Sequence, residues 1–186
     1  MGMLDPKSTV KFRFVPMTAE YAREILGWRY EPPYDFYNPG AGIDEEDLAA
    51  TFLNPDYHYY AVLDAHGALI AYRCFGEDAR VAGGDYTADA LDMGGGLRPD
   101  LTGRGLGPPV MRAAMDFARV EFAPRVFRTT VAAWNVRALR ACMKAGYQPT
   151  AAFENSQGNP FVILMRDAIE GLSPLALTNP PTRCNL

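Results

Sequence analysis

The sequence predicts a mixed α/β (α+β) domain, and three observations predict it. Runs of β-forming residues alternate with helix-periodic stretches along the 186 residues. Apolar residues make up 48% of the chain and aromatics 12%, enough for one well-cored domain. The stretch MGGGLRPDLTGRGLGPPV, Met93 to Val110, then packs Gly94, Gly95, Gly96, Gly103, Gly105 and Gly107 between a strand and a helix. Glycine loses the most chain entropy on folding, so this concentration needs a turn or a close approach to explain it.

The elements follow in order. Lys11 to Val15 reads as a strand. Thr18 suits a helix N-cap, and Ala19 to Leu26 has helical spacing at Tyr21, Ile25 and Leu26. EPPYDFYNPGAG is a loop rich in proline, glycine and tyrosine. Asp44 caps a second helix through Leu53, its acidic first turn favoured by the helix dipole. Tyr57 to Leu63 and Leu69 to Phe75 read as strands joined by the hairpin turn DAHGA. Glu77 to Ala90 is a polar loop, and Ala90 to Leu97 a glycine-containing strand. Pro108 to Phe122 is a helix, with Val110, Ala114 and Phe117 beside Met111, Ala118 and Phe122 along one side. Val126 to Val131 is a strand. Asn135 to Ala145 is a helix closed by Gly146 in a left-handed cap. Tyr147 to Phe153 and Phe161 to Met165 are strands around ENSQGNP. No linker or repeat divides the chain. The expectation is one domain over residues 1–186, with its core at about 11–166 and a loosely ordered tail at 167–186.

Composition excludes several classes. No apolar run approaches the ~20 residues of a membrane helix, and the first residues lack a signal peptide's apolar core. Pro6 stands where a myristoylation motif wants Ser or Thr. The expected address is the cytoplasm. Cys74, Cys142 and Cys184 form no CxxC pair, which suits reduced thiols and gives no zinc spacing. His58 and His66 read as surface or hairpin residues. The net charge is -4, but unevenly spread. No Lys or Arg occurs from Tyr30 to Tyr72, whereas Arg98 to Lys144 is predominantly basic. That asymmetry fits either ordinary solvated faces or two ligands of opposite charge. No basic stripe with interleaved aromatics points to nucleic acid.

Strand, glycine turn and helix together make an anion site. The first turn of a helix leaves N–H groups without partners, and its dipole adds partial positive charge. Thr102-Gly103-Arg104-Gly105-Leu106-Gly107 presents such a turn, Arg104 can add a charge-assisted contact, and Pro108 and Pro109 open the helix. A nucleotide P-loop would need GxxxxGK followed by Ser or Thr, and no Lys follows here. A Rossmann site wants GxGxxG, whereas these glycines alternate as GxGxG, and no acid about 20 residues on ends a strand.

PDLTGRGLG resembles the acyl-CoA-binding signature of the GCN5-related N-acetyltransferase (GNAT) superfamily, Q/R-x-x-G-x-G/A. Gly105 and Gly107 match its small positions, and Thr102 departs from its Gln or Arg. NVRALRACMKAGY is similar to the second signature of that family at Asn135, Ala138, Lys144, Gly146 and Tyr147. The likeness runs from about Lys11 to Arg166. It implies a mixed, mostly antiparallel central sheet, splayed at the acyl-CoA site and flanked by helices. It also implies acetyl-CoA (coenzyme A) as cofactor, its diphosphate cradled from Gly103 to Gly107 and its pantetheine arm along Leu97, Arg98 and Pro99, with Asn135 also touching the arm. Gly94, Gly95 and Gly96 would let their strand bulge and splay, and a backbone N–H there could stabilise an oxyanion.

The implied reaction is acetyl transfer to a primary amine of a small molecule or a protein N-terminus, by direct attack in a ternary complex. A lysine-like amine is roughly 0.1% neutral at pH 7.4, so a base is wanted, and Asp92 on the central strand is the candidate. The family often supplies its general acid from a tyrosine seven residues after the Asn. Cys142 stands there, and its thiol is the candidate acid. Trp28, Tyr30, Glu31, Tyr34 and Tyr37, with Phe36 and Asp35, are the candidate acceptor site, aromatic faces with acids to enclose a cationic amine. The alternative is a catalytically silent acyl-CoA sensor of the same fold. The partners expected are a small-molecule or peptide amine acceptor, with a homodimer open, and no nucleic acid, membrane or metal.

Overall fold

A computed structural model describes residues 12–38 and 45–169. Seven strands form one sheet: β1 (Arg13–Pro16), β2 (Tyr60–Leu63), β3 (Leu69–Phe75), β4 (Leu91–Leu97), β5 (Val126–Ala132), β6 (Gln148–Glu154) and β7 (Pro160–Asp167). Their order is β1-β2-β3-β4-β5-β7-β6. Every neighbouring pair is antiparallel except β4 and β5. Four helices flank the sheet: α1 (Ala19–Leu26), α2 (Glu45–Leu53), α3 (Gly107–Phe122) and α4 (Val136–Lys144). This is the mixed, mostly antiparallel architecture expected. None of the described helices is long and apolar enough to cross a membrane.

Local chemistry sets most element ends. Thr18 accepts from the Tyr21 amide at 3.3 Å and starts α1, which buries Ala22, Ile25 and Leu26. Asn135 accepts from the Ala138 amide at 3.0 Å and starts α4. Gly146 follows α4 at φ 92°, as the left-handed cap requires. In the β2–β3 hairpin, Asp64 Oδ1 accepts from the amides of His66 and Ala68, and Gly67 takes φ 83°.

Most strand ends shift by one or two residues, and the start of β2 shifts by three. Tyr57 is not in a strand: Asn54 accepts from the Asp56 amide and opens a 3-10 turn at Pro55–Tyr57. His58 then turns left-handed at φ 46°, and β2 starts at Tyr60. The first strand begins at Arg13, while Lys11, the Asp44 cap and Cys184 lie outside the described residues.

The long helix α3 buries Val110, Met111, Ala114, Met115 and Ala118 against one face of the sheet, whereas Phe117 and Phe122 are only partly buried. That face also receives Phe75 from β3, Met93 from β4 and Cys142 from α4. The opposite face packs Ile25 of α1, and Trp28 just beyond it, on Ala61, Leu63 and Leu69.

The sheet forks at its only parallel junction. β4 and β5 pair at Leu91↔Phe127 and Asp92↔Arg128, then run on to Leu97 and Ala132 without pairing. Just past the fork, the Thr129 hydroxyl donates to the Met93 carbonyl at 2.9 Å, a side chain substituting for the ladder. The expected bulge is not seen on the other side, where β4 keeps an unbroken register with β3 from Ala71↔Leu97 to Phe75↔Met93.

Candidate active site

The fork opens a cleft of about 500 Å³. β4 lines it from Met93 to Leu97, β5 from Thr129 to Val131, and α4 from Asn135 to Lys144. The Asp92 carbonyl accepts from Gly76 N, and Arg98 N donates to Ile70, so even-numbered residues of β4 bond towards β3. Strand alternation then turns the N–H and C=O of Gly95 and Leu97 towards the departed β5. These backbone groups border the cleft. The Leu97 carbonyl accepts from the Tyr30 hydroxyl at 2.8 Å.

The glycine trio is there for close approach. A Cβ on Gly95 would lie 2.2 Å from the Tyr72 carbonyl oxygen, and one on Gly96 would lie 2.8 Å from the Tyr72 ring. Gly103 and Gly105 differ. Nothing lies within 4 Å of a Cβ at either, but they take φ 76° and 80°. They are glycine because the loop turns left-handed, and open space lies beside the main chain where a side chain would stand.

Of the residues expected to hold a cofactor, Leu97, Thr102, Gly103, Gly105, Gly107 and Asn135 line the cleft. Arg98, Pro99, Arg104 and Leu106 do not. Arg98 donates to the Leu69 carbonyl and pairs with Asp100, Pro99 starts a 3-10 turn, and Arg104 is exposed. Pro108 and Pro109 remove two N–H groups from the first turn of α3. An anion bound here would therefore depend on the loop amides more than on the helix end.

Three cations of α4 complete this half of the cleft; Lys144 was noted from sequence only as a signature match, and Arg137 and Arg140 were not singled out. Arg137, Arg140 and Lys144 all line it. Their spacing repeats along one helical face, the signal that could have found them within the basic second half. Arg137 donates to the Thr102 hydroxyl at 3.3 Å and lies 3.4 Å from the Tyr34 ring centroid. Thr102 in turn donates to the Pro99 carbonyl at 2.8 Å.

On the acceptor side the structure keeps Tyr30, Tyr34 and Tyr37 in the cleft, adds Tyr72, and removes Trp28 and Glu31. Trp28 is buried in the core between α1 and the sheet. Glu31 and Asp35 are exposed and line nothing. Asn38 clamps Tyr30 by accepting from its amide at 2.7 Å and donating to its carbonyl at 3.0 Å. Tyr34, Phe36 and Tyr37 gather around Trp134, and Tyr37 accepts from Asn135 Nδ2 at 3.1 Å. Asn135 is thus an N-cap and a brace for the aromatic loop. Burial pushes the Tyr30 hydroxyl up to about 12.

Asp92, the expected base, is placed otherwise. It is 2% exposed and does not line the cleft. Arg128 holds both of its oxygens in a fork, Nε to Oδ1 at 2.6 Å and Nη2 to Oδ2 at 2.8 Å. Arg80 adds a third contact at 2.8 Å, and both arginines lie over the Tyr86 ring. Both oxygens are thus engaged by arginines, and the carboxylate stands apart from the cleft lining. Cys142 does line the cleft, but burial pushes its thiol up to about 11, only partly offset by the Arg73 charge. It keeps its proton and is a weak donor.

One lining residue was not anticipated at all. Arg73 of β3 is 8% exposed, and its Nε is buried without a hydrogen-bond partner. Among the described residues the cleft is lined by Arg73, Arg137, Arg140 and Lys144, and by no carboxylate.

No protein-family profile matches the chain, and neither does any curated protein. Solved structures do match. An acetyltransferase of the GNAT family from Bacillus anthracis superposes with TM-score 0.67 at 12% identity, over 85% of this chain and 95% of that one. AAC(6')-Ib in complex with paromomycin and acetyl-CoA gives 0.67 at 18%, over 86% and 94%. A chimera of spermidine N-acetyltransferase SpeG from Vibrio cholerae and hSSAT gives 0.67 at 16%, over 87% and 96%. The chain has the GNAT fold over nearly all of each of these.

Proposed function

We propose that this protein is an acetyl-CoA-dependent N-acetyltransferase, moving an acetyl group to a primary amine of a small molecule or a protein N-terminus by direct attack in a ternary complex. One observation carries the reading: a left-handed glycine loop and a cationic helix face both line the cleft of a forked sheet. The amides from Gly103 to Gly107 suit a diphosphate, and Arg137, Arg140 and Lys144 suit its charge. The open side of Gly103 and Gly105 leaves room for such a group. Solved structures of the same fold carry acetyl-CoA or coenzyme A, which supports this choice of cofactor. When bound, acetyl-CoA supplies the activated acyl group.

The chain's own residues then have separate tasks. The cleft-side N–H of Gly95, held by the unbroken β3–β4 register, is placed to donate to an oxygen that gains charge. Tyr30, Tyr34, Tyr37 and Tyr72 present an apolar wall that excludes water and orients the acceptor. With no carboxylate among the described lining residues, the amine arrives neutral or passes its proton to water. That favours acceptors of low basicity, such as an α-amine of pKa about 8, over lysine-like amines. The same lack of a base favours one second reading, a silent acyl-CoA sensor.

Titration calorimetry with coenzyme A, followed by assay of free thiol from acetyl-CoA over a panel of amines, tests both. Saturable binding with thiol release supports the transferase. Binding without release from any amine leaves the sensor, and no binding removes both.

A further inference from the structure

Arg73 is a buried cation with no counter-ion among the described residues. Among the described residues its guanidinium makes no ion pair and no hydrogen bond, and its Nε is sealed from solvent. Leaving a charge in that state is costly, and the place of Arg73 in the cleft lining points to a ligand as the partner. A buried arginine aimed into a cleft is a receptor for an anion.

Strand parity says which ligand bears that anion. Arg73 pairs with Gly95 and Phe75 with Met93. Phe75 and Met93 pack with α3 and α4, so Arg73, two residues from Phe75, points to that same face. Tyr72 points to the other, among Ile25, Trp28 and Ala61. A Cβ on Gly95 would come within 3.0 Å of Arg73 Cδ, so the bare glycine makes room for this side chain. Its charge is felt by Cys142 of α4 and by Tyr147 just beyond it, with Cys74 and Tyr72 on its own strand. Arg73 therefore serves the half of the cleft that holds the phosphate loop and α4, not the aromatic acceptor half. Arg137, Arg140 and Lys144 already suit the phosphates. A thioester carrier offers one further anion at its inner end, the sulfur once the acyl group has gone.

We propose that Arg73 is the receptor for the carrier's sulfur as a thiolate, so that the cleft binds free coenzyme A in ionised form. The proposal rests on the transferase reading above. In transfer, the amine nitrogen forms the new C–N bond, the C–S bond breaks with its electron pair staying on sulfur, and the amine's proton leaves to water. Arg73 neutralises the sulfur without giving up a proton, and the Cys142 thiol beside it remains a neutral neighbour.

The test reads the thiol itself. Coenzyme A bound to the full chain is titrated with base while thiolate absorbance is followed, with protein-only titrations subtracted for the protein's own thiols. The expected midpoint lies at least about one pH unit below that of free coenzyme A, a tenfold gain for the ionised form. Arg73→Met should return it to the free value or above, and Arg73→Lys should keep part of the shift. At a pH above the midpoint of free coenzyme A, wild type should prefer coenzyme A to S-methyl-coenzyme A about tenfold, and Arg73→Met should lose that preference. A bound midpoint equal to the free one, or one unmoved by Arg73→Met in a variant that still melts cooperatively, overturns the proposal. So does at least tenfold tighter binding of succinyl-CoA than acetyl-CoA that depends on Arg73 while the thiol midpoint stays put, which would assign Arg73 to an acyl carboxylate. If wild type fails to bind coenzyme A at all, the carrier assignment falls and takes this role with it. Binding with an unshifted midpoint removes only the role of Arg73.

Discussion

Two arginines are buried on the strands that flank β4, and they could hardly be treated more differently. Arg128 of β5 is 1% exposed, forks onto Asp92, donates to the Ala88 carbonyl and lies over Tyr86. The Asp92 carboxylate holds it above its ordinary value. Arg73 of β3 is almost as buried, has none of these partners, and is pulled below its ordinary value by burial. The first sits where β4 and β5 still pair, the second where they have parted. A charge whose partner lies within the chain closes the sheet. A charge with no partner among the described residues, lining a cleft, is where we place a ligand's anion.

The sharpest way to break this comparison is Asp92→Asn. It would leave Arg128 and Arg80 facing a neutral amide, at a cost of about 3–5 kcal/mol, read as a lower denaturant midpoint. Full stability with lost turnover would instead make Asp92 the catalytic base and erase the distinction. Next is Gly105→Val. A branched residue at φ 80° carries strain of about 1–3 kcal/mol, so coenzyme A affinity should fall roughly ten- to a hundredfold by calorimetry. Unchanged affinity would reject the loop as the phosphate site.

A third prediction uses the thiol beside Arg73. Burial holds Cys142 protonated up to about 11, whereas an exposed thiol ionises near ~8.5. Between those values the unfolded chain binds fewer protons than the folded one, so stability falls as pH rises through the window. Cys142→Ser should flatten that fall by up to ~1.4 kcal/mol per pH unit, measured as urea midpoints at about pH 8 and pH 10. Buried Tyr147, also raised by burial, is present in both proteins and cancels. The smallest effect is expected for Arg73→Met on stability without ligand, a change within about 1 kcal/mol or a slight gain, since no partner is lost. A loss as large as that of Asp92→Asn would mean Arg73 is a structural residue after all.

Most of the fold was legible in the chain, because helices and strands declare themselves through local period and capping. Thr18, Asn135, Gly146 and the DAHGA turn act within a few residues of themselves, and each does what its chemistry predicts. The Gly103 and Gly105 turn is local for the same reason. Where local cues competed, as at Asn54-Pro55 before β2, the side-chain turn prevailed over the β-formers that follow.

The site was legible only where it was local. Asp92 looks like a base until the fold brings Arg128 beside it from 36 residues away. Trp28 looks like a ligand wall until the chain leaving α1 packs it into the core, and Arg73 looks like any strand arginine until no described residue is found to meet it. The order of residues determined the elements, their caps and the bare-amide loop, since those depend on neighbours along the chain. Which charges are paired and which wait for a ligand was decided by the tertiary structure alone, because ion pairing falls off steeply with distance in space and takes no account of distance along the sequence.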